Sequence, residues 1–143
     1  MREIRLKLWC KERKSWVGIE KIYFGERAEL CCVETDDKEF YFPDEKNFKL
    51  VNYTGLKDKN GVQIFEGDII KCTSKIYDNF GANETGEYEE TIKQVIWKED
   101  SWGTRVINSN LTSKGAEKRG LVISAKYAEV IGNIYQNKDL LEG

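Results

Sequence analysis

The sequence predicts a mostly β protein. Short apolar runs recur along the chain, several of them alternate apolar with polar side chains, and residues typical of turns stand between them. Alternation with a period of two is typical of strands that have one buried face. Many short strands joined by turns form a sandwich or a small barrel. At 143 residues the chain has the length of one domain, or of one domain with an appendage.

The first half of the chain contains the clearest strand patterns. Leu6 and Leu8 alternate with charged residues, which is the pattern of a half-buried strand. The runs 30–33 and 40–42 flank a polar stretch and predict an antiparallel hairpin, which Pro43, the only proline, closes. The strands predicted here cover residues 4–8, 16–19, 22–24, 30–33, 40–42 and 48–53.

The second half is predicted to form a compact β unit. Asn60 and Gly61 both tolerate positive φ and predict a tight two-residue hairpin turn, followed by a bend at Gly67. Residues 76–90 are acidic and polar, which predicts an exposed loop. We expect one helical turn around Ala116 and a short terminal helix capped by Asn137. The strands predicted here cover residues 62–65, 68–72, 91–97, 102–107, 121–123 and 129–135.

Composition excludes several kinds of chemistry. The chain has no histidine, which removes histidine-based acid–base catalysis and zinc sites that need imidazole. The 23 basic and 25 acidic residues form no basic block, so nucleic acid is an improbable partner. No apolar run has the length of a membrane span, and the N-terminus lacks the apolar region of a signal peptide. We therefore expect a cytoplasmic protein with reduced cysteines in a bacterial host cell and no membrane partner.

Two segments carry a resemblance to a known family. The stretch from Tyr53 to Ile70, YTGLKDKNGVQIFEGDII, is similar to the YopX family of phage and prophage proteins. The stretch 129–137, EVIGNIYQN, matches the closing motif of that family. The opening residues 4–9 resemble its basic and aromatic start, although Cys10 stands where an aspartate is common.

The resemblance implies a fold and an origin. It implies a phage or prophage protein with a small SH3-like β-barrel in its C-terminal half. We accordingly divide the chain into a strand-rich N-terminal segment, 1–52, and a barrel, 53–143, that includes the acidic loop 76–90 and a short C-terminal helical turn. The family is a group of uncharacterised proteins, so no catalytic residue can be transferred.

The candidate binding residues lie in and after the central segment. Lys57, Asp58 and Lys59 lie in a glycine-flanked loop that could face a phosphate or a partner, although a purely structural hairpin explains the loop more simply. Glu66 and Asp68 lie two residues apart, so a strand would place both carboxylates on one face. Such a pair could hold Mg²⁺, but a local bend at Gly67 explains it more simply. We expect no bound metal, no cofactor and no catalytic site.

These observations favour binding over catalysis. The aromatic residues at 40–42, Trp97 and Trp102 are predicted to pack in the core or at a subunit interface. The favoured function is a non-enzymatic phage accessory protein that binds proteins as a homo-oligomer, with a host or phage protein as a further partner. The alternative is a nucleic-acid-binding barrel that uses the basic residues Arg5, Lys7, Lys57 and Lys59.

Overall fold

The computed structural model describes residues 5–43 and 45–142 and confirms a mostly β fold. The chain divides into two compact units, Met1–Tyr53 and Thr54–Gly143. The sequence placed this division between residues 52 and 53. The strands are β1 (Leu6–Cys10), β2 (Ser15–Val17), β3 (Ile19–Phe24), β4 (Leu30–Thr35), β5 (Phe40–Tyr41), β6 (Phe48–Lys57), β7 (Gln63–Phe65), β8 (Asp68–Asp78), β9 (Asn83–Lys98), β10 (Ser101–Ser109), β11 (Glu117–Arg119) and β12 (Ala128–Asn133).

The first unit contains two groups of strands. β1 pairs antiparallel with β2 and with residues 48–52 of β6. The other strands form a three-stranded sheet with the order β3-β4-β5. Val33 lies opposite Tyr41, which confirms the predicted hairpin between runs 30–33 and 40–42. Leu8, Val33 and Val51 are buried and supply apolar weight to the core of this unit.

The second unit is built on a five-stranded antiparallel sheet. Its strand order is β11-β10-β9-β8-β12, and the sheet curls into a half-barrel. The sheet confirms the predicted strands around 91–97, 102–107 and 129–135. Whether the half-barrel is SH3-like in detail stays a prediction. A core cluster fills one part of the unit and consists of Ile64, Ile70, Cys72, Val95, Leu121, Ala125 and Ala128.

The strand predicted at 121–123 is wrong, because Val122–Tyr127 forms the only α-helix of the described chain, α1. Leu121, Ala125 and Ala128 are buried, whereas Val122 and Ile123 are exposed. Spacings of four and three residues place the buried side chains on one face of a helical turn. The β-branched pair suggested a strand, but its side chains face solvent and do not decide the local structure.

The acidic loop predicted at 76–90 is also wrong. β8 and β9 continue through it as a long hairpin, in which Lys75 lies opposite Tyr88 and Asp78 lies opposite Asn83. A 3₁₀ turn at Asn79–Gly81 joins the two strands. Both faces of this hairpin are exposed, so its residues do not alternate between apolar and polar. We call residues 76–90 the arm.

Two smaller predictions differ from the structure near the C-terminus. Glu117–Arg119 forms β11, in the stretch where a helical turn was predicted around Ala116. The predicted terminal helix is present as a 3₁₀ turn at Lys138–Glu142. The side chain of Asn137 accepts a hydrogen bond from the backbone N–H of Asn133 at 3.1 Å, so it holds the end of β12. No helix among the described residues is both long and apolar enough to cross a membrane.

Candidate functional site

The loop that holds three of the predicted site residues is a tight turn between β6 and β7. The Asp58 N–H donates to the Val62 carbonyl at 2.8 Å, and the Gly61 N–H donates to the Asp58 carbonyl at 3.0 Å. The loop therefore has three residues, 59–61, rather than the predicted two. Gly61 has a φ of +82°, whereas Asn60 is not among the residues with positive φ. This geometry is that of a turn followed by a left-handed glycine.

Asp58 is the structural centre of this turn. Its side chain is buried, and one carboxylate oxygen accepts the N–H groups of Asn60 at 2.8 Å and Val62 at 2.9 Å. The other oxygen accepts the N–H of Val130, from β12, at 2.9 Å. Burial opposes ionisation, but the three backbone donors outweigh it and hold the pKa of Asp58 below its usual value. The carboxylate thus uses its acceptors to bind its own chain.

The two predicted lysines lie on the outside of the same turn. Lys57 and Lys59 are both exposed, whereas Asp58 between them is buried. The backbone N–H of Lys59 donates to the Ala128 carbonyl at 3.0 Å, so the loop is attached to the start of β12. The structure therefore does not bring the three side chains together to face one ligand.

The structure brings Glu66 and Asp68 together, but at a turn and not on a strand face. β7 ends at Phe65 and β8 begins at Asp68. Asp68 is buried, and its carboxylate accepts the Phe65 N–H at 2.8 Å. This hydrogen bond from the backbone to a side chain fixes the turn locally.

Tyr135 is a neighbour of this turn that the sequence did not single out. A Cβ added at Gly67 would lie 3.0 Å from the Tyr135 ring. Burial, and then the charges of Glu66 and Asp68, raise the pKa of Tyr135 to about 12. The phenol is therefore neutral at physiological pH and lies close to two carboxylates. Its place in the closing segment 129–137 is the sequence signal that could have identified it.

The first unit exposes a group of aromatic side chains, which we call the aromatic surface: Tyr23, Phe24, Phe40 and Phe42. Their exposed fractions run from 38% to 62%. They lie on or next to β3 and β5, the two outer strands of the three-stranded sheet. The rings of Tyr23 and Phe40 lie 6.0 Å apart.

The aromatic run at 40–42 is thus only partly in the core. Tyr41 packs against Phe48 with ring centroids 3.8 Å apart, whereas Phe40 and Phe42 are about half exposed. In the second unit, Trp97 packs edge-on against Trp102, yet it is also half exposed. Packing within the unit therefore explains Tyr41, whereas Phe40 and Phe42 face solvent.

The arm exposes a second set of aromatic side chains. Tyr77 and Tyr88 are about half exposed, and Phe80 at the tip is fully exposed. Phe80 has a φ of +57°, a conformation that is unfavourable for a bulky residue. Within the arm, the Thr85 hydroxyl donates to the Ile76 carbonyl at 3.0 Å, and Lys75, just before the arm, forms an ion pair with Glu84 at 2.9 Å.

Comparison with known proteins identifies the family. A family described as "YopX protein" matches residues 7–142, which is nearly the whole chain. The chain belongs to the YopX family. No curated protein matches it. The crystal structure of protein EF1440 from Enterococcus faecalis is similar, with a TM-score of 0.57 and 19% sequence identity over 99% of both chains. At this identity the similarity concerns the fold alone.

The two segments that carry the YopX resemblance meet in the structure. β8 pairs with β12, so that Ile70 lies opposite Val130. The Ile134 N–H donates to the Gly67 carbonyl at 2.9 Å, and the Asp58 carboxylate binds the Val130 N–H. The two segments that resemble the family thus bind each other through backbone hydrogen bonds, and together they close one side of the half-barrel unit.

Proposed function

We propose that this YopX protein acts by binding proteins, as a homo-oligomer, and not by catalysis. One observation carries the proposal: the aromatic surface on the outer strands of the first unit. An accessory role in a phage or prophage, in the cytoplasm of the host cell, belongs to the same proposal and rests on the family.

The size and composition of this surface suit a protein interface. Aromatic residues are enriched at the centres of interfaces, where they supply most of the binding energy. A fully buried aromatic side chain covers about 150–250 Å². Four half-exposed rings therefore offer roughly 400 Å², which is about half of what one partner contributes to a standard interface.

The edge of β3 favours a second copy of this chain as the partner. β3 is an outer strand, and its residues from Glu20 to Phe24 are exposed. An outer strand presents backbone groups that can pair with another strand. Antiparallel pairing of two β3 strands about a two-fold axis would extend the sheet from one copy into the other.

The carboxylates predicted as candidate site residues support a role without catalysis. Asp58 and Asp68 are buried and accept hydrogen bonds from backbone N–H groups. A general acid or base needs to reach a substrate proton within hydrogen-bonding distance. Both carboxylates are instead used to hold turns, and the chain has no histidine to replace them.

Size-exclusion chromatography with light scattering tests this proposal. We expect an oligomer at micromolar concentration, and the double variant Phe24→Ser, Phe40→Ser should shift it to the monomer with its fold intact. Phe80→Ser is the matched control, because it removes an exposed aromatic ring from the arm and should leave the oligomer unchanged.

A monomeric parent protein would contradict the homo-oligomer, as would an oligomer lost only in Phe80→Ser. The nucleic-acid alternative has its own measurement, fluorescence anisotropy with labelled oligonucleotides. A sub-micromolar Kd that weakens steeply with salt would favour that alternative. We expect weak or no binding at physiological salt.

A further inference from the structure

The second unit contains a groove that the proposed function does not use. It lies against β8, β9, β10 and β11 and has a volume of about 420 Å³. Sites for small molecules commonly have volumes of about 300–1,000 Å³. The residues that matter for its chemistry are Cys72, Ser74, Thr91, Lys93, Thr104 and Lys118.

The strand register shows that these residues share one face of the sheet. Cys72 lies opposite Thr91, and Thr104 lies opposite both Val95 and Lys118. Val95 belongs to the core cluster and is fully buried. Because side chains alternate along a strand, the face that carries the core continues into the groove. One face of the sheet is therefore apolar at the core cluster and polar at the groove.

Hydroxyl side chains occupy buried positions on the sheet face that carries the core. Thr104 is only 1% exposed, and its side chain lies in the wall of the groove. Thr91 is also buried, and its hydroxyl lies 3.2 Å from that of Ser109. Hydroxyl groups in the wall of a groove can donate to a ligand or to water.

The charges around the groove leave lysines without an internal counter-ion. Within residues 5–43 and 45–142, neither Lys93 nor Lys118 forms an ion pair. The nearby Glu117 is already neutralised by Lys98 and Arg105, each at 2.7 Å. Glu89 accepts a hydrogen bond from Thr112 at 2.7 Å. Glu89 also lines the groove, so two lysines face one carboxylate without an ion pair, and donors and positive charge predominate.

The thiol of Cys72 does not add negative charge to the groove. Burial raises the pKa of its thiol, while the charges of Lys93 and Lys59 act in the opposite direction. Lys93 lines the groove together with Cys72, whereas Lys59 lies in the turn between β6 and β7. The thiol is neutral at physiological pH, so it does not supply the negative charge that would balance them.

We propose that this groove binds a small phosphate ester, held by Lys93, Lys118 and the hydroxyl groups of Thr104 and Ser74. Ammonium and hydroxyl groups are donors that match the oxygens of a phosphate. The volume accommodates the phosphate together with an organic group of about nucleotide size. Nothing in this site depends on the aromatic surface or on the oligomeric state.

Isothermal titration with inorganic phosphate, glucose 6-phosphate and AMP tests the proposal. We expect saturable binding of at least one of them at millimolar concentration or below. Lys93→Met and Thr104→Val should each weaken it by about tenfold or more, since each removes a donor to a charged group. Lys71→Met is the matched control, because Lys71 pairs with Glu90 at 3.1 Å, outside this groove, and should change the Kd less than about twofold.

The three probes separate the sources of the phosphate. Equal affinities identify a site for the phosphate group, and tighter binding of one ester identifies its organic part as a further contact; both support the proposal. No saturable binding of any probe would overturn it. So would equal losses in Lys71→Met and Lys93→Met, which would indicate unspecific charge attraction. Binding of a single-stranded oligonucleotide much tighter than AMP would overturn it in favour of a nucleic-acid surface. Thermal melting of each variant checks that its fold is intact.

Discussion

The Asp58 turn and the groove are two polar regions of the same half-barrel unit, and they differ in how their polar groups are satisfied. At the turn, a buried carboxylate accepts three backbone N–H groups. In the groove, Lys93 and Lys118 form no ion pair among the described residues. A polar group with internal partners is explained by folding, and one without them points to a ligand. The comparison therefore separates residues needed for stability from residues available for binding.

The largest effect is expected from Asp58→Ala. The change leaves the N–H groups of Asn60, Val62 and Val130 without their acceptor, and each buried, unsatisfied donor costs about 1–3 kcal/mol. We expect the free energy of unfolding to fall by about 3–5 kcal/mol, as measured by urea denaturation. Lys59→Ala is the control one residue away and should stay within about 0.5 kcal/mol of the parent. Similar stabilities for the two variants would show that Asp58 does not hold the turn.

A smaller effect is expected from Gly61→Val. Gly61 has a φ of +82°, and a β-branched residue is strained in this region. No heavy atom lies within 4 Å of a Cβ added there, so strain and not a clash causes the loss. We expect a loss of about 1–2 kcal/mol and a lower melting temperature. Gly61→Asn is the matched control and should melt closer to the parent, because asparagine tolerates positive φ. A valine variant that melts like the parent would refute the turn geometry.

The low pKa of Asp58 predicts how stability depends on pH. The folded protein holds this carboxyl at a lower pKa than the unfolded chain, in which aspartate titrates near pH 3.9. Its contribution is therefore fully present above about pH 5 and is lost as the pH falls through the lower folded value. One proton corresponds to a slope of at most about 1.4 kcal/mol per pH unit. Denaturation at several pH values below 5 should give a shallower slope for Asp58→Asn than for the parent, and identical slopes would contradict the assignment.

The sequence predicts local features well and misses those that depend on distant partners. The period-two runs located most strands, and the spacing of Asp58 from Asn60 and Gly61 is a readable turn signal. The contact between Asp58 and Val130 spans 72 positions, and no local pattern shows it. The arm was missed because strands exposed on both faces lose their alternation. The groove was missed because it depends on the register of four strands, each of which is unremarkable alone.

The exposure of the aromatic residues in the first unit also could not be predicted from the sequence. The run at 40–42 correctly signalled a strand, but its apolar character could not show that Phe40 and Phe42 face solvent while Tyr41 packs on Phe48. Period two places neighbours on opposite faces, yet only the packed structure decides which faces are covered. No pattern in the sequence therefore separates a core strand from a binding surface.

The most direct test of the central claim is the melting temperature of Thr104→Val with and without a saturating phosphate probe. Valine has nearly the shape of threonine and removes only the hydroxyl that would donate to the phosphate. A ligand that binds the folded state raises the melting temperature according to its affinity. We predict that, without the probe, the variant melts at or slightly above the temperature of the parent, and that the probe raises the melting temperature of the parent alone. A variant that melts lower without the probe, yet keeps the full rise with it, would show that the hydroxyl serves the fold and not a ligand.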